Sequence, residues 1–351
     1  MRTLATKSLA ATVLILMICS ARGTPAPATT ISLTPTCPQG LSRAIPARPP
    51  GAITGSAFAA RVAKISDVDR EGMIGDELMR GNVPGFLRHL KPVTLQGTTP
   101  AGDVVRIVIC VAPDYLSIGS DSDFIRIPMG LRTALAVTER FGFVLPTKKM
   151  VDAIYDQAEV KLPPQPMPAN EQMRSTAYYT THNSRITEQS FEAGVTLGAL
   201  MAGQKKDLVV SNRLEQIPGR VAIYGWHLES GHPIQSLSLV HGARYADYSH
   251  GVRLIADVAY VDGAPRSIFA VLEDPQLAGV LNDEGAVPSM DELVSNVITQ
   301  DSPALPQFQP VVEDSAGLLL AGGLKAAGFA SAVHGLAAPS VANASMVLPA
   351  P

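Results

Sequence analysis

Residues 224–253, YGWHLESGHPIQSLSLVHGARYADYSHGVR, hold four of the chain's seven histidines, His227, His232, His241 and His250, with its only tryptophan, Trp226. Tyr245, Asp247, Tyr248, Ser249 and Arg253 stand among them. Imidazole, carboxylate, phenol and hydroxyl groups at this density suit proton transfer or metal chemistry, and packing alone rarely calls for them. Three chemistries fit. In the first, His241, Asp247 and His250 form a proton-transfer centre with His227 and Arg253 in support. The carboxylate orients an imidazole through its second ring nitrogen, and the guanidinium holds an anionic or carbonyl oxygen. In the second, Ser249 attacks and Asp247 orients the base. His241 or His227 is then the better base, because adjacent Ser249 and His250 on an extended strand point to opposite faces. Ser249 is not inside a GxSxG elbow. In the third, three of His182, His227, His241, Asp247 and His250 bind a divalent metal and leave one position for water. No HExxH or CxxC pair is present, and no motif requires a cofactor. His232, followed by Pro233 in a turn, drops out.

Further candidates would bind substrate. Trp226, Tyr245 and Tyr248 can stack on sugar rings, whose apolar faces and polar edges match theirs. His182 lies in YYTTHNSR, where Tyr178 and Tyr179 read as core. GQKKDLVV places Lys205, Lys206 and Asp207 at the entrance to an apolar strand, so that Lys206 and Asp207 join the site or stay solvated. Gly242 and Gly251 each follow a histidine and permit close approach of backbone to a ligand. Asp114, Asp121 and Asp123 lack the full calcium-loop pattern and read as a solvated turn. Against all these stands a structural alternative, in which the cluster is a polar His/Tyr core of a non-catalytic secreted protein.

VHGARYADYSHGVRLI resembles the active-site signature of L,D-transpeptidases, in which an upstream His-Gly precedes an SHGC-x-R element. His241-Gly242 and Ser249-His250-Gly251 with Arg253 follow that frame, while Val252 stands where the nucleophilic cysteine belongs and the gap between the two elements is short. The likeness covers 16 residues. It implies that a His-Gly and a Ser-His-Gly pair line a pocket in an envelope protein.

The ends point the same way. Residues 1–28 read as a signal peptide: Arg2 and Lys7, a short apolar stretch, then small residues around Ala26-Pro27-Ala28. Ile18 before Cys19 is too large for the usual lipidation pattern. With Cys19 removed, Cys37 and Cys110 remain, and an oxidising compartment predicts a disulfide between them, the alternative being two buried thiols. Residues 300–351 are rich in Ala, Gly and Pro and read as a disordered or loosely packed tail rather than a membrane anchor, since each glycine costs a helix about 1 kcal/mol. A formal charge of -3 and the absence of a basic stripe argue against nucleic acid. The expected protein is secreted or periplasmic, with an extracellular or cell-wall polymer as partner and no stable transmembrane segment.

Between the ends lie a Pro/Gly-rich lead-in at 29–57 and two halves, 58–165 and 166–290, separated by the proline-rich stretch 161–170. Helices are predicted at 66–80, 131–141 and 147–158, and strands at 93–96, 104–111 and 124–127. The second half reads as strand 176–181, helix 187–201, strands 207–211, 220–224 and 252–261, then helix 267–281. Without regular βαβ alternation the fold class is α+β, a mixed, mostly antiparallel sheet with helices packed around it. The functional expectation is an exported hydrolase acting on a glycan or peptide polymer.

Overall fold

The apolar run VVRIVICV becomes the strand Val104–Val111, buried along most of its length at the centre of the larger sheet. Lys91–Thr98 pairs antiparallel along one edge, with Lys91 opposite Val111. Ile255–Ala256 and Val258–Val261 share the other edge, extended by Phe143–Val144 and Ala264–Ser267. Strands from both sides of the proline-rich break therefore lie in one sheet, and a single large apolar core runs from Ile45 to Leu293. Cys37 and Cys110 are joined as a disulfide, tying the lead-in to the central strand. The computed structural model describes residues 35–290 together with 292, 293 and 295. The expected signal at 1–28 and tail at 300–351 lie outside these residues.

A smaller sheet carries the chemistry-bearing segments, in the order Pro233–Ser238, Ala222–His227, Lys206–Val209, His250–Gly251. The first pairings are antiparallel, while His250–Gly251 lies parallel to Lys206–Val209, with His250 beside Lys206 and Gly251 beside Asp207. The strand expected at 252–261 is broken. His250–Gly251 belongs to the smaller sheet, whereas Ile255–Ala256 and Val258–Val261 belong to the larger, so this stretch hands the chain from one sheet to the other.

Helices surround the sheets: α1 (Gly55–Val62), α2 (Asp67–Met79), α3 (Leu131–Phe141), α4 (Lys148–Gln157), α5 (Thr176–Glu192), α6 (Ile268–Glu273) and α7 (Ala278–Leu281). Ser66 caps α2 by accepting the Asp69 amide, and Ile74 and Leu78 bury one face. Thr147 caps α4 in the same way. Gly142 closes α3 in the left-handed conformation at φ 72°. The fold is α+β, with mostly antiparallel sheets and helices packed around them. Among the described residues no helix is long and apolar enough to cross a membrane.

Two further expectations fail. The strand at 176–181 and the helix at 187–201 are replaced by the single helix α5, capped by Ser175 and burying Tyr179, His182 and Ile186 on one face. It ends before Gly194 at φ 62°. The helix expected at 267–281 divides into α6 and α7 at Asp274-Pro275, because proline disfavours a helical residue before it and cannot donate a backbone hydrogen bond.

Candidate functional site

The parallel pairing of His250–Gly251 with Lys206–Val209 sets the segment Lys205-Lys206-Asp207 beside Asp247 to His250. Asp247 is the hub. Its Oδ1 accepts the Ser249 amide at 2.8 Å and the Ser249 hydroxyl at 2.6 Å, and its Oδ2 accepts the Tyr245 phenol at 3.1 Å. His250 Nε2 stands 3.8 Å from Oδ2. Burial alone would raise the Asp247 carboxyl, but the His250 and Lys206 charges and the Ser249 bonds pull it down to about 2. Burial lowers His250 to about 4, helped by Lys206, His241 and Lys205 and opposed by Asp247. At neutral pH the pair is therefore a carboxylate beside a neutral imidazole able to accept a proton.

His241 completes this group from the outside. Its ring stacks on Tyr245 at 3.9 Å and lies 6.2 Å from the His250 ring, centroid to centroid. Both His241 and Tyr245 are half-buried, whereas Asp247 and His250 are 2 % and 0 % exposed. The His241–Tyr245 pair is thus where solvent comes nearest the hub, and the Arg174 guanidinium stacks 5.5 Å from the Tyr245 ring.

An aromatic wall closes the inner side. Trp226 adopts φ 58° directly after Gly225 at φ 107°, near the end of the strand Ala222–His227. Trp226 and His227 turn to opposite faces, with a Cβ at Gly225 falling 3.5 Å from the His227 ring. The Trp226 ring meets the edges of His182 and Tyr248 and lies 4.9 Å from Lys206 Nζ. Lys205 Nζ donates to the Tyr248 carbonyl at 2.8 Å. Burial, then Arg126, lowers Lys205 to about 7 against the pull of Asp247 and Asp114. His182 is lowered to about 2, by burial first and Lys205 next. Neither ring nitrogen of His182 or His250, nor Trp226 Nε1, has a hydrogen-bond partner among the described residues. Each such group costs about 1–3 kcal/mol, a burden that a core built for stability alone avoids.

Other candidates go elsewhere. His227 turns to α4, stacks on Tyr155 at 4.5 Å and bonds Asp152 at 3.1 Å, while the Tyr224 hydroxyl donates to the same carboxylate. Arg253 lies over the Tyr115 ring at 4.2 Å and donates to the carbonyls of Ala112 and Met201. Asp207 accepts the Tyr115 phenol at 2.8 Å, and burial raises it to about 6 despite Arg253. Ser249 gives its hydroxyl to Asp247 rather than to an imidazole, so the Ser–His relay is not assembled. Gly251 is needed because a Cβ there would meet the Tyr115 ring at 2.5 Å, not because a ligand approaches it. The solvated turn expected at Asp114 is corrected: Asp114 is buried and paired with Arg126 at 2.7 Å. Among the described residues no group of three His, Cys, Asp or Glu side chains is placed to hold a metal ion.

Tyr115, Arg126, Arg174 and Asp152 were not identified from the sequence, and Lys205 entered only as a neighbour of Lys206. Their one common signal is position, since each lies within or just after an apolar stretch or at a helix start, and their partners come from distant segments. No family model, curated protein or solved structure matches the chain. The likeness to the L,D-transpeptidase signature rests on its 16 residues, and the position of the missing cysteine, Val252, is fully buried.

Proposed function

We propose that the protein is an exported hydrolase acting on an extracellular or cell-envelope polymer, with Asp247, His250, His241 and Tyr245 as its proton-transfer centre. The observation that carries this reading is the His250 imidazole held 3.8 Å from the Asp247 carboxylate, with neither ring nitrogen bonded to a partner among the described residues. His241, half-buried at the solvent edge, meets the substrate. As water attacks the glycosidic or peptide bond, its proton passes by way of His241 to His250, and the proton returns to the leaving oxygen or nitrogen as that bond breaks. Asp247, fixed by Ser249 and Tyr245, stabilises the imidazolium that forms. Water is the nucleophile in this scheme because the Ser249 hydroxyl is committed to Asp247. Export is supported by the leader-like composition of residues 1–28 and by the Cys37–Cys110 disulfide, which suits an oxidising compartment.

One observation favours a second reading, a non-catalytic secreted protein. Asp247, Ser249 and His250 are all buried, as a polar core would be. Incubation with isolated envelope glycans and peptides, reading new reducing ends and new amines, separates the two. The hydrolytic reading expects chain ends from wild type and none from Asp247→Asn or His241→Ala. Absence of cleavage across the panel, or cleavage unchanged in both variants, overturns it.

A further inference from the structure

A groove of about 540 Å³ opens between α2, α3 and the segment that carries His241 and Tyr245. Ala243, Arg244 and Ala246 form one wall, and Tyr245, between them in sequence, turns its hydroxyl the other way to Asp247. Two more lining residues tie groove to hub. The Tyr179 hydroxyl donates to the Ala246 carbonyl at 2.9 Å, and the Arg174 guanidinium covers the Tyr245 ring. The groove therefore lies against the Ala243–Ala246 segment, whose Tyr245 phenol bonds the buried carboxylate.

Its chemistry favours an anion. Four arginines are among its lining residues, Arg70, Arg132, Arg174 and Arg244, against the acidic Asp67, Glu71 and Asp76. The Arg70 guanidinium is itself held by Asp67, Thr176 and the Arg174 carbonyl. Asp67 serves both Arg70, at 2.9 Å, and Arg174, at 2.6 Å. Glu71 accepts the Gly130 amide at 2.8 Å, and burial raises its carboxyl against the opposing pull of Thr133, Gly130 and Arg70. Arg132 stands exposed on the rim. Guanidinium groups bind carboxylates in a planar, two-pronged geometry.

The groove's walls also discriminate between kinds of polymer. Helices and an irregular segment line it, and no strand edge does, so an extended peptide finds no ladder of backbone partners there. A sugar chain needs none. Gly72, Gly75 and Ala136 leave part of its lining without long side chains, and Asp76 can bond the sugar hydroxyls.

We infer that this groove binds a carboxylate-bearing glycan, with a sugar carboxylate on Arg132 and the chain running past Tyr245 to His241. The inference rests on the reading of the Asp247–His250 group as the catalytic centre, and it narrows the substrate from any envelope polymer to an acidic glycan.

Binding of polygalacturonate, of its methyl ester and of poly-L-glutamate by the purified protein tests it, with Arg132→Glu and Gly72→Phe as variants. Both positions are exposed, and a Cβ at Gly72 meets nothing within 4 Å, so both variants should fold with unchanged Tm. The expected result is binding of polygalacturonate at least tenfold tighter than of the ester, weakened at least tenfold by each variant. Equal binding of ester and acid, no binding, no effect of the variants, or preference for poly-L-glutamate overturns the inference. Acid-specific binding through Arg132 without any cleavage upholds the groove and overturns the hydrolytic reading instead.

Discussion

Lys205 gives the sharpest test of the buried cluster, because its ammonium sits in the interior with one carbonyl acceptor, that of Tyr248, at 2.8 Å. Burial lowers it to about 7, against about 10.5 in the unfolded chain. Between these values the unfolded chain binds more protons than the folded one, so stability rises with pH across this window. From pH 7 to 9 the gain from this one group is about 2 kcal/mol, since each unit is worth about 1.4 kcal/mol and the folded group is half protonated at the start. His182, His250, Asp207 and Asp247 lie below this range, and the raised tyrosines Tyr115, Tyr155, Tyr179, Tyr224 and Tyr245 oppose the trend only above about pH 10. Equilibrium urea unfolding at pH 7, 8 and 9 measures the slope directly. Lys205→Met keeps the apolar stem and removes the titration, so its stability should be flat over the same range. Its absolute level is a poorer guide, because the variant also loses the Lys205–Tyr248 hydrogen bond, worth about 1–3 kcal/mol to a charged donor. Equal slopes in wild type and variant would show that Lys205 titrates normally and that the cluster is wetter than described.

Three further outcomes follow from the packing. Replacing both Cys37 and Cys110 by alanine removes a cross-link between residues 73 apart, and urea unfolding should register a loss of about 4 kcal/mol, with reduction of wild type giving the same shift. Gly251→Ala drives a methyl into the Tyr115 ring, so calorimetry should show a loss of about 1–3 kcal/mol, and an unchanged Tm would refute the close approach. Arg126→Met leaves the Asp114 carboxylate buried without its cation, and chemical denaturation should register about 3–5 kcal/mol, largely recovered by adding Asp114→Asn.

Local signals in the sequence carried the helices that begin with a side-chain cap. Ser66 and Thr147 accept amides where the pattern of Ile74 with Leu78, and of Met150 with Ile154, calls for a helix. The α5 segment misled because Tyr and Thr favour strands, although Ser175 and the spacing of Tyr179, His182 and Ile186 already spelled a capped helix. At the site, sequence proximity brought Tyr245, Asp247, Ser249 and His250 together correctly as neighbours, yet it misdirected His227 and Arg253. Strand alternation sends His227 to the face opposite Trp226, and the handover after Gly251 carries Arg253 toward Tyr115. The handover has no periodic signature. Lys205 and Arg174 reach the cluster, and Tyr115 reaches Asp207 and Arg253, through pairings between distant segments, which a single chain does not reveal.

The most direct measurement is the rate of new chain ends released from an acidic glycan at pH 7 by wild type and by His250→Gln, with the urea midpoint read on the same samples. If His250 moves the proton, the variant loses at least about a hundredfold in rate while its unfolding midpoint shows that it remains folded. A variant that cleaves as fast as wild type, or a rate that falls only in step with the folded fraction, would contradict the account.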